Sequence, residues 1–179
     1  MNDLELNALI VKNARIAATL DALNSAKDTA LDDCAIATKR REGYYYNVSS
    51  YAMERKTYAA EDLIESKTRY VVIRKPKAFA EAVAIPCFTD PWKAYETLCA
   101  ACAALERDKK ETAERILAEM DAREITEWQA PLECKATVQE RTNKKPREGA
   151  TPIKTATVTI SKRSVSTPIL RVIKVSEED

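Results

Sequence analysis

The chain has 179 residues, 32% of them charged, yet its formal net charge is only +1. It contains no histidine, which removes the commonest general base, the commonest zinc ligand and every histidine-dependent nucleophile pair. No apolar run reaches the roughly 18 residues that span a membrane. Two glycines supply few of the tight turns that a many-stranded β-sandwich needs.

The first residues do not show the basic-then-apolar pattern of a signal peptide. Five cysteines without framework spacing are typical of a reducing compartment rather than a secreted disulfide scaffold. We therefore expect a cytoplasmic protein with no membrane-spanning segment.

The first predicted element is a long helix from about residue 3 to about residue 41. Asn2 and Glu5 have the spacing of a capping box, and Gly43 follows a basic end. Steps of three and four place one stripe of residues on a single side of this helix. The stripe consists of Leu6, Leu9, Asn13, Ile16, Leu20, Leu23, Lys27, Ala30, Cys34 and Ala37.

A basic insertion rich in tyrosine follows at 43–77. Its aromatic and β-branched residues predict strands at 44–51 and 69–74, separated by a short helix at 59–66. Residues 39–77 carry a net positive charge, whereas residues 1–38 carry a net negative one. Such asymmetry says more about binding partners than the total charge does.

A second long helix is predicted from about 91 to 125. Asp90 has the character of an N-cap, and Pro91 suits the first helical position. The helix carries a second stripe at heptad spacing. This stripe consists of Trp92, Tyr95, Cys99, Cys102, Glu106, Lys109, Ala113, Ile116 and Met120.

The last third of the chain changes to alternating patterns. Apolar and polar residues alternate at 133–139 and at 154–161, and a third strand is expected at 168–175. Between them, residues 141–152 are polar and basic and contain two prolines and a glycine, which predicts a flexible loop.

These elements predict an α+β fold. Two long helices pack antiparallel, and a small antiparallel sheet forms from residues 43–74 and 133–175. Residues 1–130 would form a mainly helical core with the insertion at 43–77. Residues 131–179 would form a β-rich segment that carries the loop at 141–152.

The heptad pattern also predicts self-association into a homo-oligomer. The residues expected to mediate it are Leu9, Asn13, Ile16, Leu20 and Leu23. A polar residue at a seam position can fix register, so Asn13 or Lys27 is predicted to face a polar partner such as Glu106. The alternative is that these residues lie at the solvated margin of the stripe.

Cys99 and Cys102 form a CxxC pair, which with Cys87 and Cys134 could supply four zinc ligands. Structural zinc pairs normally lie on turns, and a redox CxxC normally begins a helix. Because this pair lies within an alanine-rich helix, we interpret it as core packing and expect neither a metal nor a cofactor.

A basic, tyrosine-rich face is the predicted partner-binding site. Aromatic rings can stack on bases and cations can hold phosphates, but the same groups can also contact a protein. The candidate residues are Arg40, Arg41, Tyr44, Tyr45, Tyr46, Arg55, Lys56, Lys144, Lys145 and Arg147.

The sequence contains none of the usual catalytic motifs. We expect a non-catalytic binding or scaffold protein, an adaptor or inhibitor for instance, that self-associates and binds a protein partner. The alternative is binding of single-stranded DNA or RNA through the face just named and residues 141–154. A carboxylate–metal enzyme built on Glu61, Asp62, Glu65 and Lys67 is a third possibility.

Overall fold

The computed structural model describes residues 1–37, 45–81 and 83–166, with side chains placed at 1–34, 50–81 and 83–160. The fold is α+β, as predicted, and two long helices pack antiparallel. The elements in chain order are α1 (Asp3–Ala37), β1 (Tyr45–Thr57), β2 (Leu63–Arg74), α2 (Lys77–Glu81), α3 (Pro91–Ala122), β3 (Glu127–Gln129), β4 (Lys135–Pro146) and β5 (Lys154–Ser166). The predicted strand at 168–175 and the end of the first helix at 38–41 lie outside the described residues.

Both long helices begin as their sequences predict. The backbone N–H of Asn2 donates to the Glu5 carboxylate and the N–H of Glu5 donates to the Asn2 side chain, each at 2.9 Å. The Asp90 carboxylate accepts the N–H of Trp92 at 3.0 Å, with Pro91 at the first helical position. Each cap satisfies donors that the first helical turn leaves free.

The core lies between α1 and α3 and consists of two clusters. One surrounds Leu6, Ile10, Ile116 and Met120, all fully buried, and the inner side of the β-strands packs against it. The other joins the second half of α1 to the start of α3. The apolar residues of the α1 stripe from Leu6 to Cys34 are therefore buried within a single chain.

The strands form two sheets rather than one. β1 pairs with β5 along its whole length, and β2 pairs with β4, whose first residues also pair with β3. All pairings are antiparallel. Two backbone hydrogen bonds join the stretch from Thr57 to Asp62 to the segment between β4 and β5. The N–H of Arg147 donates to the Asp62 carbonyl, and the N–H of Ile153 donates to the Thr57 carbonyl.

Two sequence predictions are wrong in this region. The helix predicted at 59–66 is only a short 3₁₀ turn at Ala60–Asp62, after which β2 begins at Leu63. The flexible loop predicted at 141–152 is half strand, since β4 continues to Pro146. In both places the pairing of β2 with β4 overrides local helix and loop preferences.

Within the described ranges, no helix combines the length and the apolarity needed to cross a bilayer.

Candidate functional site

The β2–β4 pair has two faces of different chemistry, because successive residues of a strand point to opposite sides. The inner face turns towards the helices, and Val71, Ile73 and Val138 pack there against the core. The outer face is the other side. It consists of Ile64, Ser66, Thr68, Tyr70, Val72 and Arg74 of β2 and Lys135, Thr137, Gln139, Arg141, Asn143 and Lys145 of β4.

Charges on the inner face are neutralised in pairs. Lys144 lies 2.7 Å from the Glu65 carboxylate, and Lys67 lies 2.9 Å from Glu140. The hydrogen bond from Lys144 lowers the pKa of Glu65 below its ordinary value, and the hydrogen bond to Glu140 raises the pKa of Lys67. Arg69 reaches across to Asp121 of α3 at 2.9 Å. These cations are committed to contacts inside the molecule.

Charges on the outer face are not neutralised in this way. None of its twelve residues is acidic, and Arg74, Arg141 and Lys145 form no ion pair with any residue that the structure describes. Lys135 is the exception, since it lies 2.7 Å from Glu127 of β3. The outer face therefore carries a line of three exposed, unpaired cations, with Lys145 and Arg74 near its two ends and Arg141 between them.

Tyr70 lies in the middle of this line, with 39% of its surface exposed. Its hydroxyl donates to the Gln139 side chain at 3.0 Å, and Asn143 donates to the Thr68 hydroxyl at 3.1 Å. Arg141 joins Thr68, Tyr70 and Asn143 around a shallow depression of about 380 Å³. An aromatic ring, a guanidinium and several hydrogen-bonding groups thus share one small surface.

The predicted partner-binding residues that the structure describes are distributed over four places. Lys145 belongs to the outer face, Lys144 to the inner face, and Arg147 lies exposed just beyond β4. Arg55 and Lys56 are exposed on β1, where Lys56 lies 3.5 Å from Glu54. Arg40, Arg41 and Tyr44 fall outside the described residues, and for Tyr45 and Tyr46 the structure gives only the pairing of their backbones with β5.

The residues predicted to mediate self-association lie inside one chain. Leu9, Asn13, Ile16, Leu20 and Leu23 are all buried, and the later ones pack against the first half of α3. They cannot meet a second copy unless α1 and α3 separate. Self-association stays a prediction, and it would need a different surface in the closed chain.

The predicted partner of Asn13 is also different. Its side-chain amide donates to the Thr112 hydroxyl at 2.6 Å and to the Lys109 carbonyl at 2.8 Å, whereas Glu106 is exposed. Lys27 donates to Asn24 of its own helix at 2.8 Å. Asn13 thus joins α1 to α3 through a neutral contact.

Of the CxxC pair interpreted as core packing, Cys102 is buried and Cys99 is half-buried, while Cys134 is buried and Cys87 is exposed. Burial raises the pKa of the Cys102 and Cys134 thiols, which disfavours the thiolate that metals and electrophiles require. Among the described residues, no group of three or more cysteine or acidic side chains is placed to hold a metal ion.

Tyr70 and Arg74 belong to the basic, tyrosine-rich insertion at 43–77 but were not singled out as binding residues, and Lys135 was missed altogether. The alternation at 133–139 could have found Lys135, because it continues through 145 and places Lys135, Arg141 and Lys145 on one side of a strand.

Comparisons with protein-family models, with curated proteins and with solved structures found no match for this chain. Its function is therefore inferred from the geometry of its own residues.

Proposed function

We propose that this protein is a non-catalytic binding protein that engages a negatively charged macromolecular partner through the outer face. The observation that carries the proposal is that the two faces of the β2–β4 pair differ in how their cations are paired. Cations on the inner face have carboxylate partners, whereas Arg74, Arg141 and Lys145 have none among the described residues.

Such a surface adds little to the stability of the free protein. Exposed ion pairs contribute only about 0–1 kcal/mol each, and unpaired like charges along one face repel one another. A row of cations does, however, accelerate encounter with an acidic surface and selects against basic ones. Its arrangement is thus better explained by a partner than by folding.

An acidic protein is the partner class that we favour. Ile64 and Val72 are exposed between the cations, with 53% and 40% of their surface accessible. Protein interfaces combine such apolar contacts with a charged rim. Five cysteines without framework spacing are typical of a reducing compartment, which supports a cytoplasmic setting for this complex.

Single-stranded nucleic acid is the second candidate, and the position of Tyr70 beside Arg141 favours it. A tyrosine ring offers a stacking surface for a base, and a nearby guanidinium can hold the adjoining phosphate. In this case binding would weaken steeply as salt is raised.

The test compares two double variants that differ only in the face they change. Arg141→Ser with Lys145→Ser removes outer-face cations, while Lys67→Ser with Lys144→Ser removes the same number from the inner face of the same strands. Partners captured from the source organism, with and without nuclease treatment, are compared for both. We expect the outer-face variant to lose a partner that the inner-face variant retains.

Nuclease sensitivity then separates the two partner classes. Anisotropy measurements on labelled single-stranded DNA and RNA at two salt concentrations check the second class directly. Equal capture by both double variants would show that the outer face is not the binding surface.

A further inference from the structure

A basic cavity lies where the β2–β4 pair ends, at the opposite end of the outer face from Lys145. Its volume is about 750 Å³, which is within the range that small ligands occupy in proteins. Its charged and amide-bearing lining residues are Arg74, Lys75, Lys77, Gln129, Glu133 and Lys135. Four of the lining residues are cationic and one is acidic, so the lining is basic.

Three of these residues form a row across the sheet. Arg74 lies directly opposite Lys135 in the β2–β4 ladder, and Lys135 lies directly opposite Gln129 in the β3–β4 ladder. Like charges placed opposite each other in neighbouring strands destabilise a sheet. Glu127 offsets the charge of Lys135, and a negatively charged ligand beside Arg74 would offset the charge of that residue.

The four cations differ in whether they already have an ion-pair partner. Lys75 is held by Asp21 and by the carbonyl of Ala17 on α1, and Lys135 is 2.7 Å from Glu127. Arg74 and Lys77 form no ion pair within the part of the chain that the structure describes. The cavity thus has two committed cations and two available ones.

The lining of the cavity also offers acceptors. The Gln129 amide N–H₂ donates to the carbonyl of Cys134 at 3.1 Å, which leaves its side-chain oxygen as an acceptor. Glu133 and the preceding Leu132 both have left-handed backbone angles, with φ of 59° and 58°. The tight turn between β3 and β4 therefore positions a carboxylate beside the cations without a glycine.

We propose that this cavity binds the phosphate group of a hydroxyl-bearing phosphate ester. The planar guanidinium of Arg74 can form two parallel hydrogen bonds to phosphate oxygens, and the ammonium of Lys77 supplies a further charge. Glu133 and Gln129 accept hydrogen bonds from the hydroxyl groups of the ester. A free nucleotide and the 5′-phosphorylated end of a nucleic acid both have this chemistry.

The cavity overlaps the outer face at Arg74 and Lys135 but extends beyond it to Lys77. Arg141 and Lys145, which also carry the partner-binding proposal, lie on the same face outside the cavity. Loss of one activity with retention of the other is therefore measurable.

The test is calorimetric titration of the full chain at low salt with adenosine 5′-monophosphate, inorganic pyrophosphate and adenosine. We expect saturable binding of the two phosphates and none of adenosine. Arg74→Gln and Lys77→Gln should each weaken phosphate binding by about tenfold or more, since a charged hydrogen bond is lost. Arg141→Gln, on the same face outside the cavity, should change it by less than about twofold because exposed charges are screened.

Glu133→Gln is a variant that should strengthen binding. A misfolded protein would bind more weakly, so misfolding cannot produce this result. Removing the one carboxylate of the lining should tighten pyrophosphate binding by about threefold or more, since a repulsive charge is lost. Comparison of 5′-phosphorylated with 5′-hydroxyl oligonucleotides identifies the source. Preference for the phosphorylated end indicates end recognition, and equal binding of both with retained nucleotide binding indicates a free ester.

Two results would overturn the proposal. One is the absence of saturable binding of either phosphate compound at millimolar concentration in low salt. The other is equal weakening by Arg141→Gln and Arg74→Gln, which would mean that phosphate senses the general charge of the outer face rather than this cavity.

Discussion

The side-chain amide of Asn13 donates a 2.6 Å hydrogen bond to the hydroxyl of Thr112 in the buried contact between α1 and α3. Both residues are almost completely buried, with 3% and 4% of their surface exposed. Thr112 also contacts the carbonyls of Asp108 and Lys109 on its own helix. A small polar network therefore lies inside an otherwise apolar seam.

Replacement of this asparagine should be costly. Asn13→Ala removes two hydrogen bonds at a buried site and should lower the free energy of unfolding by about 2 kcal/mol. Asn24→Ala removes only a contact within α1 and should cost about 0.5 kcal/mol or less. Urea unfolding monitored by circular dichroism measures both.

The pair itself can be isolated with a double-mutant cycle. Asn13→Ala and Thr112→Val together should cost about 1 kcal/mol less than the sum of the single changes. Because both partners belong to the same chain, the molecular mass in light scattering should stay unchanged in all three variants. A change of mass in Asn13→Ala would instead mean that this residue contacts a second copy.

The end of α3 contains a residue that is poorly suited to its backbone. Glu124 has φ of 56°, the N–H of Glu124 donates to the Asp121 carbonyl, and the N–H of Ile125 donates to the Met120 carbonyl. These bonds define a Schellman motif, in which this position is usually glycine. Glu124→Gly should therefore raise the free energy of unfolding by about 0.5–1 kcal/mol.

The matched control makes the same substitution within the helix. Glu114→Gly should lower stability by about 1 kcal/mol, because glycine is unfavourable in a helix interior. Opposite signs for the two substitutions in thermal unfolding are the expected result. If Glu124→Gly also lowers the free energy of unfolding, the left-handed backbone at Glu124 does not destabilise the native protein.

A cluster of charges joins the two helices near Met1. Arg123 donates to the Glu119 carboxylate at 2.7 Å, and it also contacts Asp3 and the carbonyl of Met1. The hydrogen bond from Arg123 is the main cause of a lowered pKa of Glu119, helped by the terminal ammonium. The lowered pKa means that the native state favours the charged carboxylate.

The free energy of unfolding should decrease in acid as Glu119 becomes protonated. The contribution of Glu119 is fully present above the ordinary carboxyl pKa of 4.5 and is lost as the pH falls through the lowered native value. Glu119→Gln should thus have a lower melting temperature than the wild type at pH 7, and the difference should disappear in strong acid. Glu114→Gln, on an exposed part of α3, should show a much smaller difference at either pH.

The five thiols should differ in reactivity. Cys87 is exposed, Cys99 is half-buried, and Cys34, Cys102 and Cys134 are buried. Iodoacetamide should therefore modify Cys87 first, and the three buried thiols only after denaturation. Peptide mapping by mass spectrometry measures this order. Rapid modification of Cys102 in the native protein would contradict its place in the core.

The helices could be predicted because their signals are local. The capping box at Asn2, the proline after Asp90 and the apolar spacing along α1 each lie within a few residues of the feature they specify. The partner of Asn13 could not be predicted, because the heptad spacing fixes a side of the helix but not which turn of α3 lies opposite. The contact with Thr112 depends on that longitudinal register.

The strands and the candidate site were harder to predict for the same reason. Arg141 and Lys145 lie in a polar, basic stretch that contains loop-forming residues, and only their pairing with β2 makes the stretch a strand. The juxtaposition of Arg74 with Lys135 likewise depends on a ladder between distant parts of the chain. The charge composition indicated a basic surface, but the register of β2 against β4 determines which cations lie on the same face.

The pairing of distant strands also constrains how the protein is made on the ribosome. β1 is complete at Thr57, but its partner β5 begins only at Lys154, and β2 must wait for β4. Both early strands are therefore synthesised before the strands that pair with their backbone groups. Each sheet can form only after β4 or β5 has been synthesised, and such pairing between distant parts of a chain is slow to fold.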